Sequence, residues 1–266
     1  MNKTPFILVY DSGIGGLTTL YSIHKLLPNQ NYIYFADTKN CPYGSKCKTL
    51  LQNIILKNIK QLINQYNISH IVLACNTATT SAISFLRENI SIPIIGTEPN
   101  VNKPSKLGFQ RIVVLATPVT VNEEKLLNIE NKLPQCIVNI GISKLAKCIE
   151  DYYIRGKTEN LKIAKDIIQS KLTNFNFNDA IVLGCTHYVY LKNFVQSLGF
   201  TCFDGNDGVA RQVKQIISNT SRANINQLEK SHSKGCIIFK TGTINSNLKY
   251  KKTLKNYENL MKITPI

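Results

Sequence analysis

Two stretches decide the reading of this chain: Ile71-Val-Leu-Ala-Cys75-Asn-Thr77 and Ile181-Val-Leu-Gly-Cys185-Thr-His187. Each is a β-rich apolar run, then one small residue, a cysteine and a hydroxyl-bearing residue. A short apolar run bounded by turn signals reads as a fully buried strand. Each cysteine therefore falls where a strand ends and a helix is expected to begin. A weaker echo links Ile7-Leu-Val-Tyr-Asp11 with Val113-Val-Leu-Ala-Thr117. The economical interpretation is two related halves, each presenting one cysteine at the carboxyl end of a strand.

Working outward, strands are expected at Phe6–Tyr10, Tyr32–Ala36, His70–Ala74, Ile92–Gly96, Arg111–Ala116, Cys136–Ile140, Ala180–Gly184 and Gly235–Lys240. Helical periodicity occupies Leu17–Leu27, Lys48–Tyr66, Thr79–Glu88, Glu123–Lys132, Lys144–Tyr153 and Asn160–Leu172. Within the second of these, Leu50, Ile54, Lys57 and Gln61 alternate apolar and polar positions as a surface helix requires. Alternation of strand and helix is the signature of an α/β protein with a mainly parallel sheet covered on both faces. Functional loops then gather at the carboxyl ends of the strands.

Composition narrows the class. The 266 residues are 43% hydrophobic and 18% charged, with 14 Gly and 8 Cys, which excludes disorder, collagen and a small disulfide scaffold. No apolar run reaches the length of a membrane helix. The run Phe6 to Tyr10 meets Asp11 and Gly13 at once, so it reads as a first strand and not as a signal peptide. A soluble, cytoplasmic protein without a membrane partner is expected. The net charge of +16 is the one feature that invites a nucleic-acid partner. The lysines are scattered, however, the densest stretch being Lys249 to Lys255, and no zinc-finger or RNP-like pattern occurs. A solvated basic surface, with some attraction for small anions, is the expectation, and no nucleic-acid partner.

None of the cysteines forms a C-x-x-C pair, and the four histidines show no ligand spacing, so no metal site is expected. At a helix N-terminus, unpaired N–H groups and the helix dipole can depress a thiol pKa. Cys75 and Cys185 are thus candidates for nucleophile, ligand or general base. Two thiols on facing halves suggest acid/base work on opposite faces of one small molecule. Asp11-Ser-Gly-Ile-Gly-Gly16 follows the first strand; it is neither G-x-G-x-x-G nor a Walker loop, and its glycines allow close backbone approach. The segment from Asp37 to Pro42-Tyr43-Gly44 reads as a loop whose Tyr43 can reach into a cleft. Asp11, His187 and Glu150 could tune the thiols, although a lone Glu on a helix is ordinarily solvated and Glu150 is not selected by its own context.

Together these motifs resemble those of the glutamate racemases, the cofactor-independent members of the aspartate/glutamate racemase superfamily. The matching pieces are Asp11-Ser-Gly-Ile-Gly-Gly-Leu, Ala36-Asp-Thr to Pro42-Tyr-Gly, Ala74-Cys-Asn-Thr-Ala and Gly184-Cys-Thr-His-Tyr. Ile92-Pro-Ile-Ile-Gly-Thr-Glu-Pro, Ala116-Thr-Pro-Val-Thr120 and Asp204-Gly-Asn-Asp-Gly also fit, in register over nearly the whole chain. Inside the superfamily His187 is informative, because aspartate racemases typically carry Glu there.

The resemblance implies two similar α/β domains with the active site in the cleft between them: 1–97 with 207–266, and 98–206. It implies two-base racemisation at Cα of glutamate, without cofactor or metal, supplying D-glutamate for peptidoglycan. By likeness Cys75 handles the proton of D-glutamate, assisted by Asp11, and Cys185 that of L-glutamate, assisted by Glu150 and His187. Asp11, Ser12, Tyr43, Gly44, Asn76, Thr77, Thr120, Thr186 and His187 would hold the substrate, and a homodimer is expected. Two residues depart from the pattern: Cys41, in a mouth loop where the family is often apolar, and Asn100, where a small residue is expected. The alternatives are a racemase for another small acid, a DNA- or gyrase-associated role, and an inactive binding module, the last disfavoured because both thiols and all three assisting residues are present.

Overall fold

The computed structural model describes residues 5–223 and 237–241. The chain opens with β1 (Phe6–Asp11), α1 (Gly16–Leu26), β2 (Tyr32–Ala36) and α2 (Lys48–Gln65). It continues through β3 (Ile68–Leu73), α3 (Asn76–Asn89), β4 (Ile94–Gly96) and α4 (Asn102–Lys106). A second series follows: β5 (Arg111–Ala116), α5 (Pro118–Val121), α6 (Glu124–Glu130), β6 (Cys136–Gly141) and α7 (Leu145–Arg155). Then come α8 (Glu159–Leu172), β7 (Ala180–Leu183), α9 (Lys192–Ser197), β8 (Thr201–Phe203), α10 (Asn206–Ala223) and β9 (Ile237–Thr241).

These strands form two parallel sheets, ordered β4-β3-β1-β2-β9 and β6-β5-β7-β8. Read from the same end, β4-β3-β1-β2 and β8-β7-β5-β6 are the same arrangement, so the repeat seen in the sequence is a repeat of topology. β1 and β5 are the matching central strands, as β3 and β7 are the matching cysteine-bearing ones. The register corrects the weaker echo by one residue. Tyr10 lies opposite Leu73 and Leu115 opposite Leu183, so Asp11 corresponds to Ala116, and Ser12, not Asp11, to Thr117.

The buried strands are apolar on both faces because helices cover both. Leu8, between Ile33 and Ile71 in the sheet, packs with Leu51, Ile55 and Ile59 of α2 and Leu86 of α3. The buried stripe of α2 is Leu51, Ile55, Ile59 and Leu62, while Leu50 is exposed. A larger apolar cluster unites the two units, joining Val9, Leu17 and Tyr34 of the first to Leu145, Ile149 and Tyr188 of the second. Helix α10 packs against α1.

Three further expectations are modified. β8 and α10 had no counterpart in the sequence reading: three residues are too few for a strand pattern, and Asn-Asp-Gly at the start of α10 reads as a turn. The stretch after Cys185 is not an α-helix but a 3₁₀ turn, Tyr188–Leu191, leading into the short α9. The last expected strand is observed as Ile237–Thr241; Gly235, Cys236 and the basic stretch Lys249 to Lys255 lie outside the described residues. Among the described residues no helix is long and apolar enough to cross a membrane.

Leu8 is fully buried at the centre of the first sheet, so Leu8→Ala is expected to lower the unfolding free energy by about 2–5 kcal/mol, measured by urea denaturation.

Candidate active site

The two thiols are set by one backbone device used twice. The N–H of Ala74 donates to the Tyr10 carbonyl at 2.9 Å, and that of Gly184 to the Leu115 carbonyl at 2.8 Å. Each bond extends the ladder one step past its strand and delivers the next residue, Cys75 or Cys185, to the carboxyl edge of its sheet. Both cysteines are buried.

Their surroundings differ. Cys75 stands at the N-cap position of α3 without a side-chain capping bond, and its thiol lies 3.7 Å from the Ser12 hydroxyl. The expectation that this placement depresses the thiol pKa is overturned. Burial comes first and the negative charge of Asp11 adds to it, pushing the thiol well up; the backbone N–H of Ala78 and the Ser12 hydroxyl offset only part of this. Helix termini act over about one turn and by modest energies, whereas loss of hydration is a larger penalty on a thiolate. Cys185 has no α-helix starting at it; the imidazole of His187, two residues on, is the neighbour that bears on it instead.

Behind Cys185 stands a pair that bridges the units. His187 Nε2 and Glu150 Oε2 are 2.8 Å apart, and the same carboxylate oxygen accepts from the Ile14 N–H at 3.0 Å. Burial favours the neutral ring, but Cys185 and Glu150 outweigh it, and the pKa of His187 is raised well above its usual value. Glu150 is buried because α7 turns that face inward along with Leu145, Ala146 and Ile149. Asp11, fully buried, accepts from the Gly13 N–H at 2.8 Å and, from the second unit, the Thr186 hydroxyl at 3.0 Å. Burial lifts its pKa from 3.8 to about 6 against the opposing pull of His187 and these two bonds.

The glycine loop belongs to this seam. A Cβ on Gly13 would come within 2.9 Å of His187 Nε2, and one on Gly15 within 2.8 Å of His187 Nδ1. One on Gly16 would meet the Cβ of Asp11 at 2.7 Å. Neither Gly13 nor Gly15 has a positive φ. These glycines supply room for the opposite unit rather than a special backbone conformation.

On the other flank, hydroxyls cross between the units. Thr77, Thr117 and Thr120 form a chain with both oxygen–oxygen distances 3.0 Å, and Gly44 lies against Thr117, where a Cβ would meet the threonine Cβ at 3.0 Å. Asn76 and Thr186 are buried beside their cysteines. Tyr43 departs from its expected pose. Its hydroxyl does not reach into the cleft but donates to Asp37 Oδ2 at 2.6 Å and lies 2.7 Å from the Tyr10 hydroxyl, which fixes the loop carrying Gly44. Sequence reasoning missed Thr117, which joins Thr77 to Thr120; its one available signal was the position after a strand that echoes β1. It also missed Ile14, whose carbonyl accepts from the Tyr190 hydroxyl at 3.0 Å.

Two duplicated parallel units, each bringing one thiol to a shared, buried and polar seam, define the class of the Asp/Glu/Hydantoin racemases, whose family model matches residues 22–213. A glutamate racemase of Halothermothrix orenii is 35% identical over 263 residues, covering 96% of this chain and 98% of that one. A crystal structure of Escherichia coli glutamate racemase with L-glutamate and the activator UDP-MurNAc-ala superposes with a TM-score of 0.80 at 25% identity, covering 96% of this chain and 95% of the other. The glutamate racemase of Francisella tularensis in complex with D-glutamate gives a TM-score of 0.71 at 25% identity over 96% and 95%. The chain belongs to the glutamate racemase family.

Gly13→Ala and Gly208→Ala are expected to act with opposite signs. The first inserts a methyl group into the seam and should destabilise by about 1–3 kcal/mol. The second enters open space near the start of α10 and should stabilise by about 0.5–1 kcal/mol. Thermal melts of both distinguish a packed seam from a loose loop. For Asp11→Asn the sign follows from the raised pKa. The favourable contribution of this carboxyl is complete below its unfolded value near 4 and lost as pH rises through about 6. The asparagine variant should therefore be more stable than the wild type at pH 8, by up to about 3 kcal/mol, with the difference closing toward pH 4.

Proposed function

We propose that this protein interconverts L- and D-glutamate by proton transfer at Cα, with one thiol on each face of the substrate. The observation that carries the reading is the pairing of Cys75 and Cys185 at equivalent strand ends of duplicated units. One thiolate removes the α-proton while the opposite thiol delivers another. Cys75 handles the proton of D-glutamate with Asp11 beside it, and Cys185 that of L-glutamate with His187 and Glu150 behind it. Ser12, Gly44, Asn76, Thr77, Thr120 and Thr186 contribute hydroxyls, an amide and close backbone approach for the carboxylates and amine; Tyr43 contributes by holding its loop in place.

The α-proton is very weakly acidic, so the developing carbanion needs fixed donors in a site closed to water. The raised pKa of Cys75 fits this demand: the resting thiol stays protonated, and the incoming α-ammonium provides the positive charge that favours thiolate. Closure of the two units on the substrate gates the step. The domains proposed are 1–97 with 207–266, and 98–206, supported by the packing of α10 on α1 and the return of β9 to the first sheet. D-glutamate for peptidoglycan, a cytoplasmic location and a homodimer belong to the same reading.

Turnover of L-glutamate in deuterium oxide without added cofactor tests the proposal. The wild type should racemise with solvent deuterium at Cα, and Cys75→Ala and Cys185→Ala should each lose at least about 10³-fold in kcat/KM, a barrier increase of roughly 4 kcal/mol. Because the enantiomers have equal free energy, each variant must lose equally in both directions. Racemisation surviving in either variant, or a wild type inactive in reducing buffer, refutes the assignment.

A further inference from the structure

Cys41 has no part in the chemistry above, yet its thiol belongs to a compact group. Its Sγ, a carboxylate oxygen of Glu150 and a ring nitrogen of His187 all lie within 4.8 Å of one another. The three residues come from separate segments: the loop after β2, helix α7 and the turn after β7. Glu150 and His187 are buried and Cys41 is half-buried. The surroundings suit a cation, because the negative charges of Glu150 and Asp11 both bear on the Cys41 thiol.

Thiolate, imidazole and carboxylate are all established ligands of Zn²⁺, and three protein ligands with one open position is a usual zinc arrangement. We propose that Cys41, Glu150 and His187 form a zinc-binding site, and that zinc bound there inhibits the enzyme. Tetrahedral coordination places ligand atoms roughly 3.3–3.8 Å apart. The separation between Glu150 and His187 is already short, so the approach falls mainly to the loop carrying Cys41. Binding displaces the proton held between His187 and Glu150 and the thiol proton of Cys41, and both leave to solvent. The metal then occupies two groups that assist Cys185, so inhibition is competitive with glutamate; this consequence, unlike the binding, rests on the proposed function.

The test is titration of the full chain with Zn²⁺ and with Co²⁺ as spectroscopic probe, in chelator-free buffer with a phosphine reductant. Wild type, Cys41→Ser and Cys41→Ala are compared. The expected result is one equivalent of metal in the wild type, with the thiolate-to-cobalt charge-transfer absorption and visible bands of a tetrahedral site. Both variants should bind zinc at least about tenfold more weakly and need correspondingly more zinc for inhibition, with metal-free turnover unchanged. Equal affinity and inhibition in all three proteins would place the metal away from Cys41 and overturn the proposal, as would absence of binding to the wild type. Wild type without racemase activity would refute the proposed function, while the cobalt spectra would still decide the metal site.

Discussion

A single carboxylate oxygen organises the molecule. Glu150 Oε2 receives both the imidazole of His187 and the backbone N–H of Ile14, so one atom from the second unit fixes the turn that follows the first strand of the first unit. Removing a buried carboxylate from water is costly unless charged or dipolar partners replace its hydration. Here the partners are supplied from both sides of the cleft, and neither unit alone completes the set. The same turn is held at the Gly13 carbonyl by the Tyr34 hydroxyl and at the Ile14 carbonyl by that of Tyr190. The glycines on either side of Ile14 leave the space this clasp needs.

The two thiols therefore sit in unlike electrostatic settings on matching scaffolds. Around Cys75 are an acid whose pKa is lifted by burial, a serine hydroxyl and a helix terminus. Around Cys185 are an imidazole held toward its protonated form and the carboxylate that holds it there. On the proposed mechanism, groups of opposite tendency on opposite sides would keep the site near electrical balance when one proton moves across it. A dry cleft tolerates that rearrangement better than the creation of a lone charge.

How much of this is legible in the sequence depends on the range of the interaction. The repeated strand–cysteine motif is local, and it yielded both thiols, the fold class and the relation of the halves. Residues whose roles depend on the opposite unit were harder. Glu150 looks like a solvated helix residue until Ala146, four residues before it, and Tyr153, three after, place it within the apolar stripe of α7. The glycines signalled close approach but not the His187 ring that approaches. Tyr43 was given a cleft-facing role because its partner Asp37, a loop residue, carried no sign that it would bind the phenol. The thiol pKa was misjudged in sign because helix position can be read from the chain and desolvation cannot.

The duplicated topology has a geometric consequence for chemistry on mirror-image molecules. Any two copies of an L-amino-acid fold are related by a proper motion, whereas L- and D-substrates are related by reflection. Rotation never generates a mirror image, so even a faithfully duplicated protein meets L- and D-substrate with different contacts, and equal kcat/KM in the two directions comes from the equal free energies of the enantiomers rather than from the duplication. The unlike surroundings of the two cysteines, with Asp11 and Ser12 beside one and Glu150 and His187 beside the other, are the local expression of that inequivalence.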